Sequence, residues 1–229
     1  MTFQQQFVDT LNNATISDSR VKFFDDFLKI ATTALSRDEK TYSTFINSYD
    51  AAAQNTFLDL FAALGNALND CIAQYLLIDK SLGLKFKVPK KPRYRDVLGE
   101  IFHELELNDR RDGQVFTPQH IADLMGETTL TESLVQNEIA KTGYVTIEER
   151  CCGSGALVFG ALNALLDMKI NPCQFARVRA SDVDERCLRM AFIQFSLYGI
   201  PAVVEKRDAL SDELFAEPLI TPILKRKIS

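Results

Sequence analysis

One turn constrains this chain more than any other stretch. A short β-branched run from Tyr144 to Glu149 leads into Gly153-Ser154-Gly155, and from there the apolar period changes. Ala156 to Met168 is apolar on nearly every side (Leu157, Val158, Phe159, Ala161, Leu162, Leu165, Leu166), as suits a helix buried against a sheet. Phe175 to Val183 reads as a second strand. Glu185 to Tyr198 reads as a second helix, with Gly199 as its stop. Ala202 to Lys206 reads as a third strand, ending near Asp208. Strand, helix, strand, helix, strand predicts half of a doubly wound α/β fold with about three parallel strands.

Upstream the period is helical. Val21 to Leu35 places Phe23, Phe24, Phe27, Leu28, Ala31 and Leu35 on one face. Phe57 to Ile78 repeats the pattern with Phe57, Leu60, Phe61, Leu64, Leu68, Ile72 and Tyr75. Asp18 or Ser19, and Asn55 or Thr56, are candidate caps for these helices. Gly83, Pro89 and Pro92 interrupt the pattern, since proline cannot continue a helix. The expected division is an N-terminal helical domain over 1–80, a linker over 81–95 and an α/β domain over 96–229. Within the last, Asp96 to Leu107 is a short amphipathic helix. Others are expected from Gln119 to about Met125 and from Glu132 to Lys141.

Charge is unevenly placed. The chain carries a net −5, yet Lys80 to Arg95 holds seven basic residues and no acid. Lys85, Lys87, Lys90, Lys91, Arg93 and Arg95 in this stretch are candidate contacts to nucleic-acid phosphates. The alternative is a solvated interdomain linker. No apolar run approaches the ~18 residues of a bilayer span, and the start of the chain lacks the pattern of a signal peptide. The five cysteines form no framework and the two histidines no cluster, so reduced thiols, no metal and a cytoplasmic location are expected.

The turn itself suits a flat ligand with an anionic end. Gly153 and Gly155 let the backbone approach closely, and a helix N-terminus follows to meet an anion. Asp182, at the end of the second strand, is acceptor-only and matches a diol. Asp112-Gly-Gln-Val-Phe-Thr-Pro118 lies upstream, 32 residues before Cys151-Cys152-Gly153-Ser154-Gly155.

Taken together, the segment from Leu98 to Leu210 resembles the adenine-N6 DNA methyltransferases, above all the modification subunits of type I restriction enzymes. Leu98 to Leu107 and Met190 to Ala202 also look like short methylase-like proteins of phages and plasmids, mobile elements in which the N-terminal helical segment also occurs. The resemblance implies a partial Rossmann-like S-adenosylmethionine methyltransferase fold and S-adenosylmethionine as cofactor. It implies that Phe116, Thr117 and Pro118 cover the methionine end, with Glu149 taking the ammonium group. Gly153, Ser154 and Gly155 would form the close turn. Asp182 would accept the ribose hydroxyls, Val183 would lie under the adenine and Asp208 would accept from its amino group. The family usually has proline after its first acid, where this chain has Arg150.

The Asn/Asp-Pro-Pro-Tyr/Phe loop, which in that family accepts the amino hydrogens and stacks the extruded base, occurs nowhere in the 229 residues. Catalytic residues are therefore not assigned. The readings that stand are a methyltransferase that is minimal or completed by a partner, an inactive module that binds S-adenosylmethionine, DNA or a restriction-modification subunit, and a remnant without ligand. In the complete fold the first strand lies mid-sheet. Here Tyr144 to Glu149 is expected to be an edge, covered by the segment Leu219 to Ile228, by the helical domain, or by another chain in a homodimer or a restriction-modification complex.

Overall fold

A computed structural model describes residues 5, 7–10, 19–72, 93–105 and 117–228. Helices α1 (Arg20–Ser36), α2 (Glu39–Ile46) and α3 (Ala51–Ile72) lie in the first layer. Ser19 caps α1 by accepting from the Lys22 amide at 3.1 Å, as Ser/Thr/Asp side chains do for otherwise unpaired helix-start amides. Phe23, Phe24, Phe27, Leu28 and Ala31 are buried along α1, and Phe57, Leu60, Leu64 and Leu68 along α3. Phe23 stacks on Phe57 with ring centroids 5.1 Å apart. α3 starts earlier than the aromatic period predicted. Asp50, not Asn55 or Thr56, caps it, accepting from the Ala53 amide at 2.8 Å. Ala51 to Ala53 are strong helix formers without a periodic signal.

The chain re-enters at Arg93. Tyr94 is buried and exchanges hydrogen bonds with the Asn163 side chain, at 2.8 Å through its amide and 3.0 Å through its carbonyl. Helix α4 (Val97–Glu104) follows, capped by Asp96. Then come α5 (Gln119–Thr129) and α6 (Glu132–Thr142). α5 runs through Gly126 rather than ending near Met125. Gly126 and Gly160 face each other so closely that a Cβ on Gly126 would stand 2.5 Å from the Gly160 carbonyl carbon.

The sheet has the order β1-β2-β3-β4. β1 (Val145–Glu149), β2 (Ala176–Asp182) and β3 (Ala202–Lys206) are parallel. They are joined by α7 (Ala156–Asp167), the one-turn α8 (Pro172–Phe175) and α9 (Glu185–Leu197). This is the expected Rossmann-like half. Burial alternates along the strands. Val145, Ile147, Ala176, Val178, Ala180, Ala202 and Val204 are buried, while Thr146, Glu148 and Arg179 are exposed. Crossovers of one hand in the order 1-2-3 put both helices on one face, which leaves the other face polar. One core nevertheless runs from Phe7, Phe24 and Phe102 through Phe159 and Phe195 to Val204.

The C-terminal segment does not cover β1. β4 (Leu219–Ile220) pairs antiparallel with β3, at the opposite edge, and α10 (Pro222–Ile228) follows. Thr221 anchors it: the buried hydroxyl donates to the Ile200 carbonyl at 2.8 Å and accepts from the Ala202 amide at 2.9 Å. Among the described residues β1 pairs only with β2. Beside its free edge lies a groove of about 300 Å³, lined by Met125, Leu130, Ile147, Leu157 and Ala161 among others. Among the described residues no helix is long and apolar enough to cross a membrane.

Candidate functional site

Three acids stand in a stagger at the C-terminal ends of the parallel strands. Glu149 pairs in register with Ala180, two residues before Asp182. Asp182 in turn pairs with Lys206, two residues before Asp208. Parallel sheets bind ligands at this end, beyond the carboxyl ends of the strands.

Asp182 is the best-held of the three. One carboxylate oxygen accepts the Gly153 amide at 2.9 Å and the other the Asp184 amide at 3.0 Å. It thus ties the glycine turn after β1 to the turn after β2. Two oxygens offer about four lone pairs, so acceptor capacity remains toward solvent. Val183 beside it is 55 % exposed, an apolar side chain left open at a strand end. Asp184 caps α9, accepting from Arg186 and Cys187 at 2.7 and 3.0 Å.

The glycine turn requires its glycines. Gly153 has φ 52° and Gly155 φ 109°, left-handed values that side chains rarely adopt. At Gly155 a Cβ would also crowd the Phe195 ring at 3.0 Å. Gly155 opens α7 without a capping side chain, which leaves first-turn amides available to an anion. Glu149 bends back to accept from the Cys151 amide at 3.1 Å.

Asp208 uses one oxygen to hold its own loop, accepting from Leu210 at 2.7 Å and Ser211 at 3.0 Å. These amides, Ser211 first, keep its carboxyl below the ordinary value. Thr117 and Pro118 lie at the start of α5, with Pro118 as its N-cap. Phe116 lies outside the described residues. Ser154 faces away from the cleft: it is buried, and its hydroxyl donates to the Asp96 carboxylate.

Of the six basic candidates, Lys85, Lys87, Lys90 and Lys91 lie outside the described residues. Arg93 is engaged inside the fold, donating to Asp167 at 2.8 Å and to the Asn163 carbonyl at 3.2 Å. Arg95 pairs with Glu100 at 2.9 Å. No disulfide links the five cysteines. Burial pushes Cys152 and Cys187 well up, aided by the nearby Asp182 for the former and Asp184 for the latter, so neither is a ready nucleophile. Among the described residues no group of His, Cys, Asp and Glu has the arrangement of a metal site.

Sequence reasoning missed Asp96 and Gln194, the buried polar side chains beneath the turn, and Asn163, which holds the Tyr94 backbone. Their signal is a polar residue where the pattern wants an apolar one, as at Gln194 inside the run Met190 to Leu197.

No family model and no curated protein matches the chain. Four solved chains match, and two of them are as follows. One, from Listeria monocytogenes, is described as a putative class I S-adenosylmethionine-dependent methyltransferase. It is 14% identical over 80% of this chain and 52% of its own, with a TM-score of 0.38. The other is a type I restriction-modification system methyltransferase subunit from Streptococcus thermophilus. It is 15% identical over 94% of this chain and 59% of its own, with a TM-score of 0.43. The chain spans a little over half the length of each.

Proposed function

We propose that the chain binds S-adenosylmethionine at the strand ends and acts as the cofactor-holding part of an adenine-N6 DNA methyltransferase. The observation that carries this is Asp182, fixed by the Gly153 and Asp184 amides with acceptor capacity to spare and an exposed Val183 at its side. In this reading Asp182 accepts the ribose hydroxyls and Val183 lies under the adenine. Asp208, with one oxygen free of its loop amides, accepts from the adenine amino group. Glu149 takes the ammonium group, and the open first turn of α7 meets the carboxylate. Thr117 and Pro118, with Phe116, close the methionine end. Bound here, the cofactor would supply an electrophilic methyl group; the protein's part is to hold and orient it.

The second reading is a methylase-like module that binds without catalysing. The observation in its favour is the missing Asn/Asp-Pro-Pro-Tyr/Phe sequence. Transfer needs groups that interact with the transition state, and cofactor binding alone provides none. In the first reading DNA is the substrate, in the second the module acts on DNA or on a restriction-modification partner, and DNA would be contacted through Lys85, Lys87, Lys90 and Lys91. Arg93 and Arg95 add less, being paired with acids. The outer edge of β1, unpaired among the described residues, and its groove support a second chain, in a homodimer or a restriction-modification complex.

Calorimetric titration tests the binding. Hydrogen bonds to a charged group are worth about 1.5–3 kcal/mol, so Asp182→Ala is expected to weaken S-adenosylmethionine roughly tenfold to a hundredfold. Equal affinity in a folded variant removes the assignment. Transfer of labelled methyl groups to unmethylated DNA by this chain alone would decide for the enzyme over the module.

A further inference from the structure

The stretch from Leu98 to Leu107 is similar to methylase-like proteins although no ligand explains it. Its beginning meets the underside of the glycine turn. Asp96 is 5 % exposed, and four groups converge on it. Its side chain accepts from the Ser154 hydroxyl, from the Gly99 amide at 2.9 Å and from the Gln194 amide nitrogen at 2.9 Å. Its own amide donates to the Gln119 side chain at 3.3 Å. Gln194 closes the cluster, donating to the Ser154 carbonyl at 3.1 Å and accepting from the Leu98 amide at 3.0 Å.

The spacing Asp-x-x-Gly has a steric reason here. A Cβ on Gly99 would stand 2.7 Å from the Asp96 carboxyl carbon and overlap the Ser154 hydroxyl oxygen. Only glycine lets the helix start and the turn share one carboxylate. Burial pushes the Asp96 carboxyl above its ordinary value, and the three donors oppose that push by hydrogen-bonding its oxygens.

From this we infer that Asp96 is a positioning residue: through Ser154, and with Gln194, it holds the glycine turn in the shape that presents the Gly153 amide to Asp182. The turn is then gripped from both sides. Asp182 and the Ser181 carbonyl, which accepts the Cys152 amide at 2.9 Å, hold it from the cleft side. Asp96 and Gln194 hold it from beneath. The cluster also joins the starts of α4 and α5 to that turn. Losing the lower grip frees the turn before a ligand arrives, and the ligand must then reorder it, which weakens binding.

The link to affinity rests on the proposed function; the grip on the turn does not. The experiment therefore has two readouts on Ser154→Ala, which deletes only the hydroxyl. Amide hydrogen exchange of the free protein is expected to speed up about tenfold at residues 152–155, the effect of losing one hydrogen bond to a carboxylate. Titration with S-adenosylmethionine is expected to give a roughly threefold to tenfold weaker complex. Phe57→Leu, a core change in the helical layer, is the control for general loss of stability. Exchange at 152–155 that is unchanged in Ser154→Ala, or that speeds equally in the control, overturns the inference. Faster exchange with unchanged affinity overturns its functional half. If the unaltered protein does not bind, the proposed function fails while exchange still decides the grip.

Discussion

The contact between α5 and α7 sets where Thr117 and Pro118 stand relative to the turn, and one methyl group tests it. In Gly126→Ala the new Cβ would lie 2.5 Å from the Gly160 carbonyl carbon and 2.8 Å from the Ala161 nitrogen. Carbon contacts settle near about 3.5–4.0 Å, so the helices must part by about 1 Å. The obstructing atoms are backbone, and no rotamer change relieves them. Overpacking of this kind costs about 1–3 kcal/mol, and the rigid partner argues for the upper end. Alanine recovers about 1 kcal/mol of helix propensity, leaving a net loss of about 2 kcal/mol. For a chain of this size that is about 4–8 °C in melting temperature. Gly65→Ala in α3 is the internal control: nothing lies within 4 Å of its Cβ. It should gain about 1 kcal/mol by propensity alone. Thermal unfolding followed by circular dichroism separates the two signs. A Gly126→Ala protein as stable as the parent would refute the backbone-to-backbone packing of α5 on α7.

Two further outcomes are expected. Asp208 has its carboxyl held below 3.8 by the Ser211 and Leu210 amides, so its contribution to loop order is present above that value. It is lost as pH falls through the depressed folded value. Amide exchange at Leu210 and Ser211 should therefore quicken only in that acidic window, and Asp208→Asn should flatten the change. Replacing Lys85, Lys87, Lys90 and Lys91 with glutamine should reduce the slope of log K for DNA against log salt by roughly 3 to 4, at about 0.9 per phosphate contact; an unaltered slope returns the stretch to the role of linker.

The sequence made the parallel core legible because its signals are local. A β-branched run, two left-handed glycines and a continuous apolar helix occur in a row, and β3 matches its expected span, Ala202 to Lys206. The elements it hid depend on distant partners. β4 is only two residues long and exists because β3 offers an edge to Leu219 and Ile220. α2 has only 8 residues, and its apolar face is Tyr42, Phe45 and Ile46, too short a stretch for the period to stand out. Gly126 reads as a helix stop until Gly160 is seen against it. Ser154 reads as part of a ligand turn, and only Asp96, 58 residues earlier, shows that its hydroxyl points inward. The place of the glycine turn and of the acids at the strand ends was legible. Side-chain direction was not, because it is set by buried polar groups that no periodicity announces.

Amide ¹H–¹⁵N spectra recorded through a titration with S-adenosylmethionine test, residue by residue, whether the β1 and β2 ends and the glycine turn receive it. Saturable shifts centred on Gly153, Gly155, Val183 and Asp184 are expected, with α2 and α10 unmoved. Saturable shifts elsewhere with this group silent, or no shifts at any concentration, would contradict binding there.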